Sequence, residues 1–255
     1  MKLHILTIVL DGMPWLPSHL AVFNTLNVDW HWHIVEGVAA NTHCTKWCRT
    51  LLPRLSVDGT TEFLDDISAH KRVTIYRKEQ WDGKIEMVNA PLRVIQEPGL
   101  LWEMDADELW TKAQIETGVN LFIANPNRQL AQFKCRYYFG PDIVITSDNT
   151  YGNHHDYEWY RLWRWTPGQL FTTHEPPRLP GSTEHKIPIA DTEKAGLVFE
   201  HYAYATPEAV SFKEYYYGYT NALENWHKLQ ENKKWPARLG EFIPWIKDEA
   251  TASRL

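Results

Sequence analysis

The feature that most constrains the fold is the order of the hydrophobic patterns at the start of the chain. An apolar run over residues 3–10 stops at Asp11-Gly12, as a short buried strand does. Apolar residues then recur at helical spacing over residues 16–26, and residues 30–38 alternate as a second strand. A strand, a helix and a second strand in this order predict a parallel sheet with a right-handed crossover.

The same alternation of strands and helices continues to residue 124. The spacing of Phe63, Leu64 and Ile67 predicts a helix that begins at the Asp58-Gly59-Thr60 turn, with Thr60 or Thr61 as its cap. Downstream, the patterns predict strands over 72–76 and 100–104 and helices over 84–96 and 111–124.

The second half of the chain has a more mixed pattern. Four prolines between residues 174 and 190 indicate a loop, and residues 207–233 are typical of a helix or a helix pair. Short strands are predicted over 132–139, 142–147, 159–165 and 197–204. Because no linker separates the two halves, we expect one α/β domain over residues 1–255.

Length, charge and cysteine content narrow the functional classes. A chain of 255 residues can bury a large core, and its net charge of −6 gives no overall basic field for nucleic acid. Cys44 and Cys48 lack a second Cys/His pair at zinc-finger spacing, so thiols are favoured over structural zinc. No stretch approaches the ~18 apolar residues of a membrane span, and the N-terminal run is short for a signal peptide. A cytoplasmic protein is therefore expected.

Acidic side chains cluster where the fourth predicted strand ends, at Asp105, Asp107 and Glu108. In an extended segment, side chains two residues apart project to the same side, so Asp105 and Asp107 can both face one divalent cation. Two carboxylates leave coordination positions that a diphosphate can fill, and open α/β sheets bind ligands beyond the carboxyl ends of their strands. The alternative is a solvated acidic turn, with Glu108 stabilised near a helix N-terminus.

Three short motifs resemble, in order and spacing, segments of the family 2 glycosyltransferases and their GT-A relatives. Ile34-Val35-Glu36-Gly37 takes the place of the family's second strand and its acidic end. The stretch Asp58-Gly59-Thr60-Thr61-Glu62-Phe63-Leu64 resembles the family's Asp-Gly-Thr-x-Glu-x-Leu. Asn89-Ala90-Pro91-Leu92, followed by Gly99-Leu100-Leu101-Trp102-Glu103-Met104-Asp105-Ala106-Asp107-Glu108, resembles an Asn-bearing helix before a strand that ends in Asp-x-Asp.

The resemblance covers residues 3–124 and implies a GT-A type, Rossmann-like fold. Such a fold has a mixed, mostly parallel sheet flanked by helices, and here a loop-rich, helical C-terminal part would follow. The resemblance implies that residues 1–124 form the nucleotide-sugar-binding half and that residues 125–255 form the acceptor-binding half with the C-terminal helices. It also implies a hexosyltransferase-like enzyme that moves a sugar from a nucleotide sugar, with a UDP-sugar expected, to a hydroxyl of a carbohydrate or glycoconjugate acceptor.

The same resemblance assigns residues to the donor. Asp105 and Asp107 would hold Mn²⁺ or Mg²⁺ on the diphosphate, and Asp11 and Glu36 would approach the base and ribose. The donor-binding residues implied by the motifs are Asp11, Glu36, Asp58, Asn89 and Asp105. The sequence departs from the family at Gly37, where an acidic residue is usual, and Glu36 is alternatively a strand-end carboxylate in solvent.

Catalytic candidates in the second half follow the metal motif. An inverting transferase needs a carboxylate that takes the acceptor proton, and Asp156 and Glu158 stand before an aromatic stretch. We favour Glu158, although it can instead pair with Arg161 or Arg164. His201 ends a late hydrophobic strand and is predicted as a third metal ligand.

Four further points stay open in the sequence. His174 is a weaker ligand candidate than His201, and Lys213 is expected to be a solvated helix lysine. A nucleotidyltransferase is an alternative function, but Asp11-Gly12 is not followed by the Gly-rich basic loop that such an enzyme favours. A non-catalytic carbohydrate-binding protein would account for the 13 tryptophans but has no need of Asp-x-Asp at a strand end.

Overall fold

Strands and helices alternate through the first half of the molecule, as the hydrophobic patterns predict. The computed structural model describes residues 1–153 and 159–255. The elements of the first half are β1 (Lys2–Val9), α1 (Leu16–Phe23), β2 (Trp30–Ala39), α2 (Thr60–Ile67), β3 (Val73–Trp81), α3 (Lys84–Leu92), β4 (Gly99–Glu103), β5 (Glu108–Leu109) and α4 (Lys112–Ala124).

The second half consists of short strands and three helices. Its elements are β6 (Leu130–Gln132), β7 (Lys134–Tyr137), β8 (Ile143–Ile145), β9 (Tyr160–Trp165), β10 (Thr173–His174), β11 (Pro177–Arg178), β12 (Lys186–Ile187), α5 (Ile189–Lys194), β13 (Val198–His201), α6 (Pro207–Tyr217), α7 (Ala222–Gln230), β14 (Ala237–Arg238) and β15 (Thr251–Arg254). Single 3₁₀ turns lie at His43–Thr45, Thr183–His185 and Leu239–Glu241.

The central sheet has seven strands in the order β12-β6-β9-β4-β1-β2-β3. Its neighbours pair in parallel except at β9, which is antiparallel to both β4 and β6. The predicted α/β class, with a mixed and mostly parallel sheet flanked by helices, is therefore confirmed. The helix pair expected over 207–233 is present as α6 and α7.

Apolar side chains cover both faces of this sheet, which is why its inner strands are hydrophobic almost without interruption. On one face, Leu3, Ile5 and Trp102 pack against residues of α1 and α4 such as Phe23 and Phe122. The other face carries a second cluster, contributed by β1, β2, β4, β9 and α3, whose members include Leu6, Val35, Leu101, Val88 and Trp163.

Local details differ from the predictions at two places. Gly59, with φ of 96°, is the N-cap of α2 and has no side chain that could cap the helix. Thr60 accepts a hydrogen bond from the Gly12 amide and Thr61 donates one to Glu36, so both hydroxyls tie the helix to the strand ends instead. Residues 174–190 are also not all loop, because β11 and β12 lie within them and β12 forms the sheet edge.

A small second sheet completes the carboxyl edge of the central one. Its order is β5-β13-β7, and β13 pairs antiparallel with β5, so that His201 lies opposite Glu108. The amide of Tyr202 donates to the Asp107 carbonyl over 2.8 Å. This pairing brings a strand from the second half of the chain against the acidic segment.

The helices that the structure describes include none with the length and hydrophobicity of a membrane span.

Candidate functional site

A cavity of about 1150 Å³ opens at the carboxyl ends of the parallel strands. The loop after β1 and the acidic segment after β4 form its floor, and α6 and the β10–β11 hairpin form walls. Of the predicted site residues, the described lining includes Asp11, Asp58, Asp105, Asp107 and His201. The position agrees with the rule that open α/β sheets bind ligands beyond their carboxyl strand ends.

Asp105 and Asp107 are the carboxylates of the acidic segment that face this cavity. Their side chains keep 33% and 24% of their exposure, respectively. Burial opposes the charge of Asp105, but Arg161 and the other basic groups nearby together outweigh burial and lower the pKa of Asp105. Both carboxylates are thus accessible to a cation.

Glu103 and Glu108 flank the aspartates but are buried. Glu108 accepts from Nε and Nη2 of Arg161 in a bidentate pair, with the shortest contact at 2.6 Å. Glu103 contacts Nε2 of His174 over 2.7 Å, in the hairpin that forms a cavity wall. These pairs anchor β9 and the hairpin to the acidic segment.

His201 meets Asp107 from the paired strand β13. Its Nε2 lies 3.6 Å from Oδ1 of Asp107, which is too long for a hydrogen bond. Burial lowers the pKa of His201 to about 4 against the opposing effect of Asp107, so the ring is neutral near pH 7. Nδ1 of His201 is buried without a hydrogen-bond partner among the described residues. Neutral imidazole is the form that ligates metals.

Two cations face the aspartates. Nη2 of Arg161 lies 3.3 Å from Oδ2 of Asp105, and Nζ of Lys213 lies 3.9 Å from Oδ2 of Asp107. Burial opposes the charge of Arg161, but Glu108 and Asp105 outweigh it and raise the pKa of Arg161. Burial lowers the pKa of Lys213, which Asp107 only partly offsets. Such an ammonium favours an added anion in the cavity.

Lys213 therefore differs from its prediction as a solvated helix lysine. Its side chain is only 18% exposed and lines the cavity from α6. A lysine on a helix is expected to be exposed to solvent, but α6 packs along the cavity and places the Lys213 side chain in its wall.

The backbone between the two aspartates is held from below by α1. Nε2 of the buried His19 lies 2.8 Å from the Ala106 carbonyl. Burial lowers the pKa of His19, so its ring is neutral and donates from Nε2. The loop after β1 also packs closely on Ala106 at Gly12. A Cβ at residue 12 would lie 2.5 Å from Val9 and 3.2 Å from Ala106.

Asp11 and Asp58 join the loop after β1 to the loop before α2. Asp11 accepts from Arg54 and from the Val57 amide over 2.8 Å. Asp58 accepts from the Met13 amide over 2.8 Å and from the Thr60 amide over 3.0 Å. Both aspartates line the cavity, so the residues of these loops that are predicted to bind the nucleotide sugar lie together.

Glu36 and Asn89 lie outside the described cavity lining. Glu36 is fully buried within β2, where it accepts from Arg77 over 2.6 Å, from Thr61 and from the Ser56 amide. The alternative of a solvated strand-end carboxylate is wrong for this residue. Asn89 is buried and exchanges two hydrogen bonds with the Phe171 backbone. Both side chains hold loops of the cavity wall.

Gly37 occupies a position where an acidic side chain cannot fit. Its φ is 132°, and a Cβ would lie 1.8 Å from the Lys78 carbonyl oxygen. The register of β2 against β3 shifts between Glu36 and Val38. This irregularity explains the departure from the family pattern at residue 37.

Asp156 and Glu158, the predicted catalytic carboxylates, lie outside the described residues. In the parts of the chain that the structure does describe, no three His, Cys, Asp or Glu side chains form a ready metal site. A cation on Asp105, Asp107 and His201 therefore needs ligands from a bound molecule, as a diphosphate supplies.

Sequence reasoning missed His19 and the roles of Arg161 and Lys213. His19 carries no local signal, because its partner Ala106 is distant in sequence. Arg161 was expected only as a possible partner of Glu158, whereas it binds Glu108 and Asp105.

No family model matches the chain, and no curated protein matches it in sequence. Among solved structures, it is similar to residues 1–349 of TarS from S. aureus in complex with UDP-GlcNAc, with 12% identity and a TM-score of 0.41. That alignment covers 64% of this chain and 45% of TarS 1–349.

Two other solved structures are similar to a comparable extent. The mannosyltransferase PcManGT from Pyrobaculum calidifontis, in complex with GDP-Man and Mn²⁺, is 14% identical with a TM-score of 0.42, over 64% of this chain and 44% of its own. A CMP:2-keto-3-deoxy-manno-octonic acid synthetase complexed with CTP is 8% identical with a TM-score of 0.37, over 64% and 74%. The chain thus spans less than half of the TarS fragment and of the mannosyltransferase. Since the TM-scores lie below 0.5, the function rests on the site itself.

Proposed function

We propose that this protein is a metal-dependent glycosyltransferase of the GT-A type that uses a UDP-sugar. The observation that carries the proposal is the placement of Asp105 and Asp107, which face a large cavity at the carboxyl strand ends beside a neutral His201. The two carboxylates suit Mn²⁺ or Mg²⁺, the imidazole nitrogen suits Mn²⁺ better than the oxygen-preferring Mg²⁺, and positions are left open for a diphosphate.

Donor binding uses the floor of the cavity. The loops that carry Asp11 and Asp58 would hold the nucleoside, while Glu36 and Asn89 support those loops and the hairpin from beneath. The cation, when bound, neutralises the charge that develops on the leaving diphosphate. Lys213 adds a poorly compensated ammonium on the same side, which stabilises that charge further.

Acceptor activation needs a base near the sugar-binding part of the cavity. We assign it to Asp156 or Glu158, and we propose that transfer inverts the anomeric centre. Trp159, which follows them in the sequence, lines the cavity.

The metal site is tested by UDP calorimetry with Mn²⁺ and with EDTA. Asp105→Ala and Asp107→Ala should each remove detectable metal-dependent UDP binding, because the cation loses one of its few protein ligands. Asp66→Ala, on the exposed side of α2, is the matched control and should bind like the wild type. Unchanged affinity in both cavity variants, with melting temperatures preserved, would contradict the proposal.

The base is tested with Glu158→Gln and Asp156→Asn. One of them should lower the rate of sugar transfer by roughly 10²–10⁴-fold while UDP affinity stays the same, since the base acts on the acceptor. The anomeric configuration of the product, read by NMR, tests inversion. A loss of less than tenfold in both variants, or a product that retains the donor's configuration, would show this assignment to be wrong without affecting the metal site.

A further inference from the structure

Helix α6 presents one continuous face to the cavity. Its lining residues recur at helical spacing, and they are Glu208, Ala209, Phe212, Lys213, Tyr216 and Tyr217. Tyr215 is outside the described lining and is 55% exposed. The helix therefore runs along the cavity wall, and residues on successive turns lie at different distances from the acidic segment.

The two parts of this face meet different chemistry. Lys213 lies beside Asp107, where the diphosphate is proposed to bind. Tyr217 follows four residues later, about 6 Å further along the helix axis. There its ring stacks on Trp47, with ring centroids 4.9 Å apart and an angle of 29°. One helical turn thus separates the charged part of the cavity from an aromatic part.

Trp47 is unusual among the tryptophans of this chain because it is 56% exposed while it lines the cavity. The ion pair between Lys84 and Glu175 lines the same cavity and interacts electrostatically with Tyr217. The region therefore offers an aromatic surface beside paired charges of opposite sign.

We propose that Trp47 and Tyr217 form the subsite for a pyranose ring of the acceptor, with Lys84 and Glu175 binding its hydroxyls. This inference rests on the proposed function for the identity of the site. A pyranose ring has an apolar C–H face that matches an indole and a polar edge that matches a donor and an acceptor. The ion pair has no net charge, so the subsite suits a neutral sugar. Its distance from Lys213 places that ring next to the donor sugar.

Saturation-transfer NMR tests the subsite with three probes, namely the methyl glycosides of glucose, mannose and N-acetylglucosamine, in the presence and absence of UDP and Mn²⁺. The wild type should bind at least one of them. Trp47→Ala should weaken that binding about tenfold or more, and Trp47→Phe should retain part of it. Tyr215→Ala, an exposed aromatic of the same helix, is the control and should have no effect.

UDP calorimetry on the same variants separates this inference from the proposed function. All four proteins should bind UDP with Mn²⁺ equally. If the wild type binds UDP but none of the glycosides, or if Trp47→Ala binds them as the wild type does, the subsite is overturned. If the wild type fails to bind UDP but shows Trp47-dependent glycoside binding, the transferase proposal fails and the sugar subsite stands.

Discussion

The acidic segment after β4 has two sides that use carboxylates in opposite ways. Glu103 and Glu108 are buried, and each contacts a basic side chain, namely His174 and Arg161. The two aspartates between them keep about a quarter to a third of their exposure and face the cavity. Glu103 and Glu108 have a structural role, because a buried carboxylate without a partner is costly and each of them has a basic partner. Asp105 and Asp107 are available to a ligand because they are not fully buried.

Glu108→Ala should give the largest stability difference between the two sides. It removes the bidentate contacts of Arg161 and leaves a buried guanidinium whose remaining carboxylate contact among the described residues is Asp105 at 3.3 Å. Loss of one partner of a buried pair costs about 3–5 kcal/mol, whereas Asp105→Ala should cost about 1 kcal/mol or less. Urea unfolding measures both. Equal losses would remove the distinction, and partial recovery in Glu108→Ala/Arg161→Met would support it.

Glu36→Ala should have a smaller effect that reaches the nucleotide through the loop before α2. Without Glu36, Thr61 and the Ser56 amide lose a shared acceptor, so the loop that carries Asp58 becomes less ordered. We expect UDP affinity to fall about tenfold, which is about 1.4 kcal/mol. Asp65→Ala removes the other carboxylate on Arg77 and is the control. Calorimetry that finds full UDP affinity in Glu36→Ala would show that the loop does not depend on this contact.

His19→Phe should give the smallest effect, because it acts only through the Ala106 carbonyl. Loss of one hydrogen bond costs about 1 kcal/mol, so the affinity for Mn²⁺ in the presence of UDP should fall about fivefold. His19→Gln keeps a donor and should recover part of the loss. Manganese titration followed by electron paramagnetic resonance measures this affinity directly. If His19→Phe binds Mn²⁺ as the wild type does, the backbone of the acidic segment is held by other contacts.

The elements predicted correctly from the sequence are those whose pattern lies in residues close to one another in the chain. The β-α-β opening, the fourth strand and α4 follow from hydrophobic periodicity over short stretches of the chain. Prediction was weaker for the short strands of the second half. The predicted strand over 132–139 is divided into β6 and β7, which belong to different sheets. Pairing partners, not local composition, determine where such strands end.

Sequence alone determined the α/β class and the acidic pair just after a buried strand, because both follow from residues that are close together in the chain. The predicted extended conformation of the pair is wrong, because the Glu108 amide donates to the Asp105 carbonyl over 3.1 Å and residues 105–108 form a turn. Only the tertiary structure decided which carboxylates face the cavity. The pairing of β13 with β5 brings His201 to Asp107, and β9 brings Arg161 to Glu108. The same packing buries Glu36 and turns Lys213 inward. These contacts join residues far apart in the chain, so their strength depends on burial and distance, which local sequence does not encode.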